Sequence, residues 1–185
     1  LQMSVSPQQT PTSLLLVQPT GSGKSMVPLT TGVVMKGVIL IIENTLSLSS
    51  DQISKFDSIS KIPNNPVEAF HLDSTKNSCH IQQLSTFLLQ LRSNTLSTIF
   101  IYLSPECLLK DIWINTFQRL IINKSISLIC IDEVHQFVCF GTSFCPIFHR
   151  LQQSLFKHLL INTNTPTKNN YYLKLPLLLM TATFN

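Results

Sequence analysis

Charged side chains are scarce in this sequence: Asp, Glu, Lys and Arg together make up 12% of its 185 residues. Soluble domains usually contain about twice that share. The formal net charge is only +4, and no dense cluster of Lys and Arg marks a strongly basic nucleic-acid-binding arm. Because hydrophobic residues reach 44%, the composition is that of one domain that can bury a substantial apolar core.

Long apolar runs and paired cysteines are also missing. No hydrophobic run approaches the roughly 20 residues that cross a bilayer as a helix, so we expect no membrane association. The five cysteines form neither a C-x-x-C pair nor a spacing typical of zinc ligands. This pattern predicts no zinc site in this segment, and reduced thiols in an intracellular protein.

A loop with two closely spaced glycines follows the first apolar run, Leu14 to Val17, which we interpret as a buried strand. Gly21 and Gly23 lack the Cβ atoms that keep backbone away from an anion, so successive N–H groups can surround a phosphate. Lys24 adds a positive charge, and Ser25 adds a hydroxyl for a phosphate-bound Mg²⁺. We therefore predict a nucleotide-binding loop; the alternative is an ordinary Gly/Ser turn between a strand and a helix. The residues assigned to this loop are Pro19, Thr20, Gly21, Ser22, Gly23, Lys24 and Ser25.

Two adjacent carboxylates, Asp132 and Glu133, follow a second apolar run, Leu128 to Ile131. In Mg²⁺-nucleotide chemistry, one carboxylate holds the metal and another positions and deprotonates the attacking water. We assign these roles to Asp132 and Glu133, and name Lys24 as the third catalytic residue. His135 is predicted to sense the γ-phosphate. Without the loop described above, a solvated Asp-Glu pair at a strand end would be the simpler interpretation.

Predicted strands and helices alternate along the chain. The strands are apolar throughout rather than half polar, which is typical of a parallel sheet covered on both faces. We therefore predict an α/β fold, a mostly parallel sheet with helices on both faces and with ligands at the carboxyl ends of the strands. Residues 1–12 are predicted to form a loose leader and residues 13–185 a single domain. The predicted strands span 14–17, 38–42, 67–72, 98–103, 127–131 and 175–180, and the predicted helices 26–35, 51–56, 81–91 and 106–122.

Glycines punctuate the first of these helices. Gly32 and Gly37 are expected to mark its carboxyl end.

A third polar motif, Thr181-Ala182-Thr183, follows the last apolar run. Its two hydroxyls can hydrogen-bond the segment that holds Asp132 and Glu133, and so transmit the state of the nucleotide. Together with the loop and the paired carboxylates, this motif resembles motifs I, II and III of superfamily 2 helicases.

Two further matches narrow the resemblance to the RecQ-like DNA helicases. Leu46-Ser47-Leu48 with Asp51-Gln52 is similar to that family's motif Ia. Tyr102-Leu103-Ser104-Pro105-Glu106 is similar to its Ser-Pro-Glu element.

The resemblance implies a RecA-like P-loop NTPase fold, ATP and Mg²⁺ as cofactors, and 3′-to-5′ translocation on DNA in the complete protein. It implies single-stranded or junction-containing DNA as a partner and a nuclear location in a eukaryote. The family's second RecA-like lobe is missing from this chain, so we expect poor activity from the chain alone. The residues that the resemblance assigns to nucleic-acid binding or coupling are Ser47, Gln52, Ser104, Pro105, Glu106, Phe140, Phe144, Thr181, Ala182 and Thr183.

Some positions depart from the family pattern. Gln18 stands where the loop commonly begins with Gly or Ala, and Asn44 where motif Ia usually has Pro. The segment from Phe140 to Pro146 keeps the aromatic, Gly, Phe and Pro residues of the family's aromatic-rich loop but lacks its His, Asp and Arg. Two alternatives therefore stay open: a DExH-type RNA helicase lobe, and a non-catalytic nucleotide-binding or interaction remnant.

Overall fold

A computed structural model describes residues 13–43, 67–72, 78–90, 97–135 and 175–182. None of the helices in those ranges is long and apolar enough to cross a membrane. The predicted leader and the predicted helix at 51–56 lie outside the described residues. The strands are β1 Ser13–Val17, β2 Gly37–Ile42, β3 Val67–Leu72, β4 Thr98–Leu103, β5 Ile126–Ile131 and β6 Leu177–Thr181; the helices are α1 Met26–Met35, α2 Ser78–Gln90, α3 Pro105–Leu108 and α4 Asp111–Ile122.

The six strands form one sheet in the order β1-β6-β5-β2-β4-β3. All of the pairings are parallel. The central strand β2 is buried along nearly its whole length, as its run of β-branched and aliphatic residues predicts. The carboxyl ends of all six strands therefore lie along the same edge of the sheet.

Helices cover both faces of this sheet. On β2, Val38, Leu40 and Ile42 belong to the core cluster that includes Leu88 of α2 and residues of α4. The alternate residues Ile39 and Ile41 belong to a second cluster, which includes Leu29 of α1. Successive strand residues point to opposite faces, so the two clusters are the two sides of the sheet. The predicted α/β fold is confirmed.

The burial predicted for β1 is wrong, although the strand itself is confirmed. Leu14 is 54% exposed and Val17 is 45% exposed. Among the described residues, β1 lies at the edge of the sheet and pairs with β6 alone. An edge strand lacks one of the two neighbours that shield a central strand, which explains its greater exposure.

The single helix predicted at 106–122 is also wrong, because the structure has two helices there. The Ser104 hydroxyl accepts a hydrogen bond of 3.2 Å from the Cys107 N–H and so caps α3. Lys110 then adopts an extended backbone conformation, with ψ of 134°. This residue breaks the helical hydrogen-bond ladder, and α4 begins at Asp111 with an acidic residue in its first turn.

Gly32 lies inside α1 rather than at its end, where it lets the helix approach the sheet closely. A Cβ atom at this position would lie 2.7 Å from two ring atoms of Phe100 and 2.9 Å from Ile39 Cγ1. Phe100 and Ile39 are both fully buried, so neither can move aside easily. We conclude that this glycine is needed for packing between α1 and the sheet.

Replacing Gly32 with Ala is therefore expected to destabilise the fold by about 1–3 kcal/mol through overpacking, despite the better helix propensity of Ala. Urea denaturation of the 185-residue chain measures the change. Val34 lies on the outer face of the same helix and is 81% exposed, so Val34→Ala is a matched control that should change stability by less than about 0.5 kcal/mol. Equal or greater stability of Gly32→Ala would contradict the packing of α1 described here.

Candidate nucleotide-binding site

The predicted nucleotide-binding loop connects the end of β1 to the start of α1. Gly21 and Gly23 have φ values of +80° and +88°, which L-residues with a side chain rarely adopt. Among the described residues, no atom lies within 4 Å of a Cβ built on either glycine. The loop therefore has the backbone geometry that requires glycine and an open side on which an anion fits.

Lys24 folds back onto the loop. Its ammonium donates hydrogen bonds to the carbonyl of Gln18 at 2.8 Å and to the carbonyl of Pro19 at 3.2 Å. The Ser22 hydroxyl donates to the side-chain oxygen of Gln18 at 3.2 Å. Gln18, which departs from the common pattern, thus stabilises the loop through a side-chain hydrogen bond to a residue four positions further along. A bound phosphate would compete with these neutral acceptors for the ammonium of Lys24.

Ser25 is the N-cap residue of α1, but its hydroxyl makes no capping hydrogen bond to the helix. Its backbone is already helical, with φ of −62° and ψ of −18°. The amino-terminal end of α1 carries the partial positive charge of the helix dipole. A hydroxyl and a positive helix end therefore lie together at the start of α1, as phosphate and Mg²⁺ binding require.

Asp132 and Glu133 lie immediately beyond β5. The Asp132 N–H donates to the carbonyl of Ile42 at 2.9 Å, which extends the pairing of β5 with β2 by one bond. Glu133 has a φ of +51°, and its N–H donates to Asp132 Oδ1 at 2.8 Å. The chain thus turns sharply at Glu133, and the turn fixes the Asp132 carboxylate.

Burial raises the pKa of the Asp132 carboxyl above its ordinary value. The hydrogen bond from the Glu133 N–H and the charges of Lys24 and His135 act in the opposite direction and lower it. The charge of Glu133 raises the pKa of Asp132 further, and the charge of Lys24 acts on Asp132 from the neighbouring loop. No three His, Cys, Asp or Glu side chains within the described ranges converge to hold a metal by themselves, so Mg²⁺ here would depend on phosphate oxygens and water as well.

His135 connects the paired carboxylates to the third motif. Its Nδ1 atom lies 2.9 Å from the Thr181 hydroxyl and 3.1 Å from a carboxylate oxygen of Glu133. The ring nitrogen carries at most one proton, so these two groups compete for it. Thr181 is fully buried. His135 therefore lies between Thr181 of the third motif and Glu133, within hydrogen-bond distance of both. The coupling between these motifs stays a prediction.

Backbone hydrogen bonds join the same three motifs. The Val134 N–H donates to the carbonyl of Met180 at 2.8 Å, and the Gln18 N–H donates to the carbonyl of Thr181 at 3.1 Å. The end of β6 therefore lies between the nucleotide-binding loop and the paired carboxylates, and contacts both. A displacement of the loop or of the Asp132–Glu133 segment would therefore alter the hydrogen bonds at the end of β6, where Thr181 lies.

The residues assigned to nucleic-acid binding are only partly described. Ser104 caps α3, Pro105 is buried and Glu106 is exposed. Ala182 follows the last residue of β6 and is half-buried. The nucleic-acid role of these residues stays a prediction. The other assigned residues, Ser47, Gln52, Phe140, Phe144 and Thr183, lie outside the described residues.

The sequence reasoning missed one carboxylate at this edge of the sheet, Glu43. It follows the apolar run of β2, is 5% exposed, and its N–H donates to the carbonyl of Leu103 at 3.1 Å. The signal was present, because Glu43 follows its strand in the same way as Asp132 follows β5. Parallel strands end at one edge, so the two patterns together would have predicted neighbouring carboxylates.

Comparisons with known proteins agree with this geometry. A family model described as DEAD/DEAH box helicase matches residues 1–185. The chain is 29% identical over 158 residues to the ATP-dependent DNA helicase RecQ of Pasteurella multocida, covering 84% of this chain and 23% of that protein. It is 27% identical over 143 residues to the ATP-dependent DNA helicase Q-like 5 of Arabidopsis thaliana, covering 77% of this chain and 14% of that protein. The chain thus spans less than a quarter of the length of these curated relatives.

Solved structures resemble the fold. The DUF1998 helicase MrfA superposes with a TM-score of 0.59 at 20% identity, covering 94% of this chain and 25% of that one. The structure of MrfA bound to DNA and AMPPNP gives a TM-score of 0.57 at 20% identity, over 92% of this chain and 22% of that one. The Hef helicase domain of Pyrococcus furiosus gives 0.53 at 17% identity, with 94% and 30% covered. At these identities the likeness establishes the fold.

Proposed function

Because the chain belongs to the DEAD/DEAH box helicase family, we propose that it is the ATP-binding motor lobe of a RecQ-like DNA helicase. The observation that carries this proposal is that the nucleotide-binding loop and the Asp132–Glu133 segment meet at the end of β6, each joined to it by a backbone hydrogen bond. The RecQ assignment is supported by relatives named as RecQ helicases.

The loop would bind the phosphates of ATP. The backbone beside Gly21 and Gly23 is open to an approaching anion, and the Lys24 ammonium would exchange its carbonyl acceptors for phosphate oxygens. Ser25 and Asp132 would hold Mg²⁺, which neutralises charge on the phosphates when bound. Binding of ATP therefore relies on groups that the described residues already bring together.

Glu133 would activate the attacking water. A general base must lie within hydrogen-bond reach of the proton that it removes, and the contact with His135 Nδ1 at 3.1 Å restrains the carboxylate of Glu133. Because Thr181 competes for the same nitrogen, movement at the end of β6 would change this restraint. We propose that His135 and Thr181 link the nucleotide state to the rest of the motor in this way.

The proposed nucleic acid is DNA, single-stranded or containing a junction, along which the complete protein moves in the 3′-to-5′ direction. Two observations support DNA: the relatives are named as DNA helicases, and the Ser104-Pro105-Glu106 element matches the RecQ pattern. The complete protein would act inside the cell, in the nucleus of a eukaryote. A second RecA-like lobe would supply the arginine that stabilises charge in the transition state.

This proposal predicts the nucleic-acid dependence of ATP hydrolysis in a protein that combines this chain with a second lobe. Single-stranded DNA should stimulate phosphate release more strongly than RNA of the same sequence and length. For the 185-residue chain alone, DNA affinity should fall only shallowly with salt, since one lobe with a net charge of +4 neutralises few phosphates.

Two other outcomes of this experiment would each support an alternative. Equal or stronger stimulation by RNA would favour the RNA helicase lobe. ATP binding without turnover, with either nucleic acid, would favour the non-catalytic remnant.

A further inference from the structure

Gln18 follows the last residue of β1 and bonds to the nucleotide-binding loop through both its backbone and its side chain. Its carbonyl accepts a hydrogen bond of 2.8 Å from the Lys24 ammonium, and its side-chain oxygen accepts one of 3.2 Å from the Ser22 hydroxyl. Its N–H donates to the carbonyl of Thr181 at 3.1 Å. A Gly or Ala at this position could make the two backbone bonds but not the bond to Ser22. That bond therefore depends on the glutamine side chain itself.

The side-chain bond crosses a tight turn of the loop, which runs from Pro19 to Ser22. The Ser22 N–H donates to the carbonyl of Pro19 at 3.2 Å, and Gly21, the third residue of the turn, has a φ of +80°. A positive φ at this position is typical of a type II turn, in which the fourth residue bonds back to the first. Ser22 is thus held twice, through its N–H to Pro19 and through its hydroxyl to Gln18.

Ser22 lies between the two glycines that shape the loop. Gly21 and Gly23 both have positive φ values, but glycine can adopt many other conformations at little cost. No described atom beyond their chain neighbours lies within 4 Å of a Cβ built on either glycine, so packing on that side does not hold them in place. The two hydrogen bonds of Ser22 therefore restrain a stretch of chain that is otherwise free to change shape.

Nucleotide binding would remove some of the hydrogen bonds of the loop and leave others. In the proposed function, the Lys24 ammonium leaves the carbonyls of Gln18 and Pro19 for phosphate oxygens. The two bonds that tie Lys24 to the beginning of the loop are then lost. The bond between the side chains of Gln18 and Ser22 does not involve Lys24. It can therefore persist and hold the turn while phosphate is bound.

We infer that Gln18 is a positioning residue for the nucleotide: its side chain, acting through Ser22, keeps the loop in the conformation that receives the phosphates of ATP. This inference rests on the proposed function, because it requires that the loop binds phosphate. A ligand binds more weakly when only a fraction of the molecules have the competent conformation, and its apparent affinity falls in proportion to that fraction. Loss of the bond should therefore weaken ATP binding even though Lys24 and both glycines are unchanged.

The test removes the hydrogen bond from either end. Gln18→Met keeps the length of the side chain but lacks the amide oxygen, and Ser22→Ala lacks the donor. Each should weaken binding of a fluorescent ATP analogue to the 185-residue chain, with Mg²⁺ present, by about threefold, as expected for a hydrogen bond between neutral groups. The double variant should lose no more affinity than either single variant, because both changes break the same bond.

Two further variants make the comparison specific. Ser22→Thr keeps the hydroxyl and should bind the analogue more tightly than Ser22→Ala. Thr30 is exposed on α1, and its hydroxyl donates to carbonyls of the same helix, so Thr30→Val removes a hydroxyl outside the loop and should leave the affinity unchanged. Thermal unfolding without nucleotide should occur at nearly the same temperature in every variant, because exposed positions contribute little to stability.

Unchanged or tighter binding by Gln18→Met, while Lys24→Ala is still impaired, would overturn this inference and leave the proposed function standing. Additive losses in the double variant would show that Gln18 and Ser22 act separately, which also contradicts it. A loss of affinity accompanied by a clearly lower unfolding temperature would show a structural role instead. If the wild type itself does not bind the analogue, the proposed function and this inference fail together.

Discussion

Replacing Lys24 with Ala is expected to weaken binding of ATP by on the order of a hundredfold or more. A hydrogen bond to a charged group contributes about 1.5–3 kcal/mol, and the ammonium of Lys24 can donate to more than one phosphate oxygen. It now rests on the neutral carbonyls of Gln18 and Pro19, which a phosphate readily replaces. The variant keeps the glycine backbone geometry of the loop but loses its only mobile cation.

Titration of the 185-residue chain with a fluorescent ATP analogue in the presence of Mg²⁺ measures this loss. Arg119 lies on the exposed side of α4, so Arg119→Ala removes a positive charge elsewhere and should leave the affinity unchanged. Circular dichroism confirms that both variants remain folded. Equal affinities of the wild type and Lys24→Ala would exclude the loop as the phosphate site.

The second large effect is expected for Glu133→Gln in a protein that contains this chain and the second lobe. Loss of a general base typically costs about 10²–10⁴ in rate, whereas ATP binding depends on the loop, Ser25 and Asp132. Gln keeps the shape of the side chain and an oxygen that can accept a hydrogen bond from His135 Nδ1, but it cannot take a proton from water. Hydrolysis should therefore be nearly abolished while the affinity for ATP is retained.

Steady-state phosphate release and equilibrium binding, measured on the same preparation, separate the two properties. The exposed residue Glu68 on β3 provides the control, because Glu68→Gln should change neither. Undiminished turnover in Glu133→Gln would assign the base to another residue. Parallel loss of binding and turnover would show that Glu133 acts in nucleotide binding instead.

Much of the fold was readable from local sequence because its strands are uninterrupted apolar runs. β3 and β4 lie where they were predicted, at 67–72 and 98–103. What local sequence does not encode is the order of the strands. Leu14 and Val17 are as apolar as the residues of β2, yet β1 lies at an edge of the described sheet and β2 in its centre. The exposure of β1 follows from that order alone.

The candidate site also combines features that local sequence predicts with features that depend on how the strands pair. The loop and the Asp132–Glu133 pair are local patterns, since the spacing of a few consecutive residues specifies their chemistry. The contact between His135 and Thr181 joins residues 46 positions apart and depends on the pairing of β5 with β6. The position of Glu43 likewise depends on the register between β2 and β5. Such relations become visible only when the strands are assembled.

The most direct test of the central claim is a crystal structure of this chain with Mg²⁺ and a non-hydrolysable ATP analogue. We predict that the phosphates lie against the backbone N–H groups of the loop and that the Lys24 ammonium has left the carbonyl of Gln18 for a phosphate oxygen. We also predict the metal between Ser25 and Asp132. A nucleotide bound elsewhere, or Lys24 still bonded to Gln18 beside a bound nucleotide, would contradict the account.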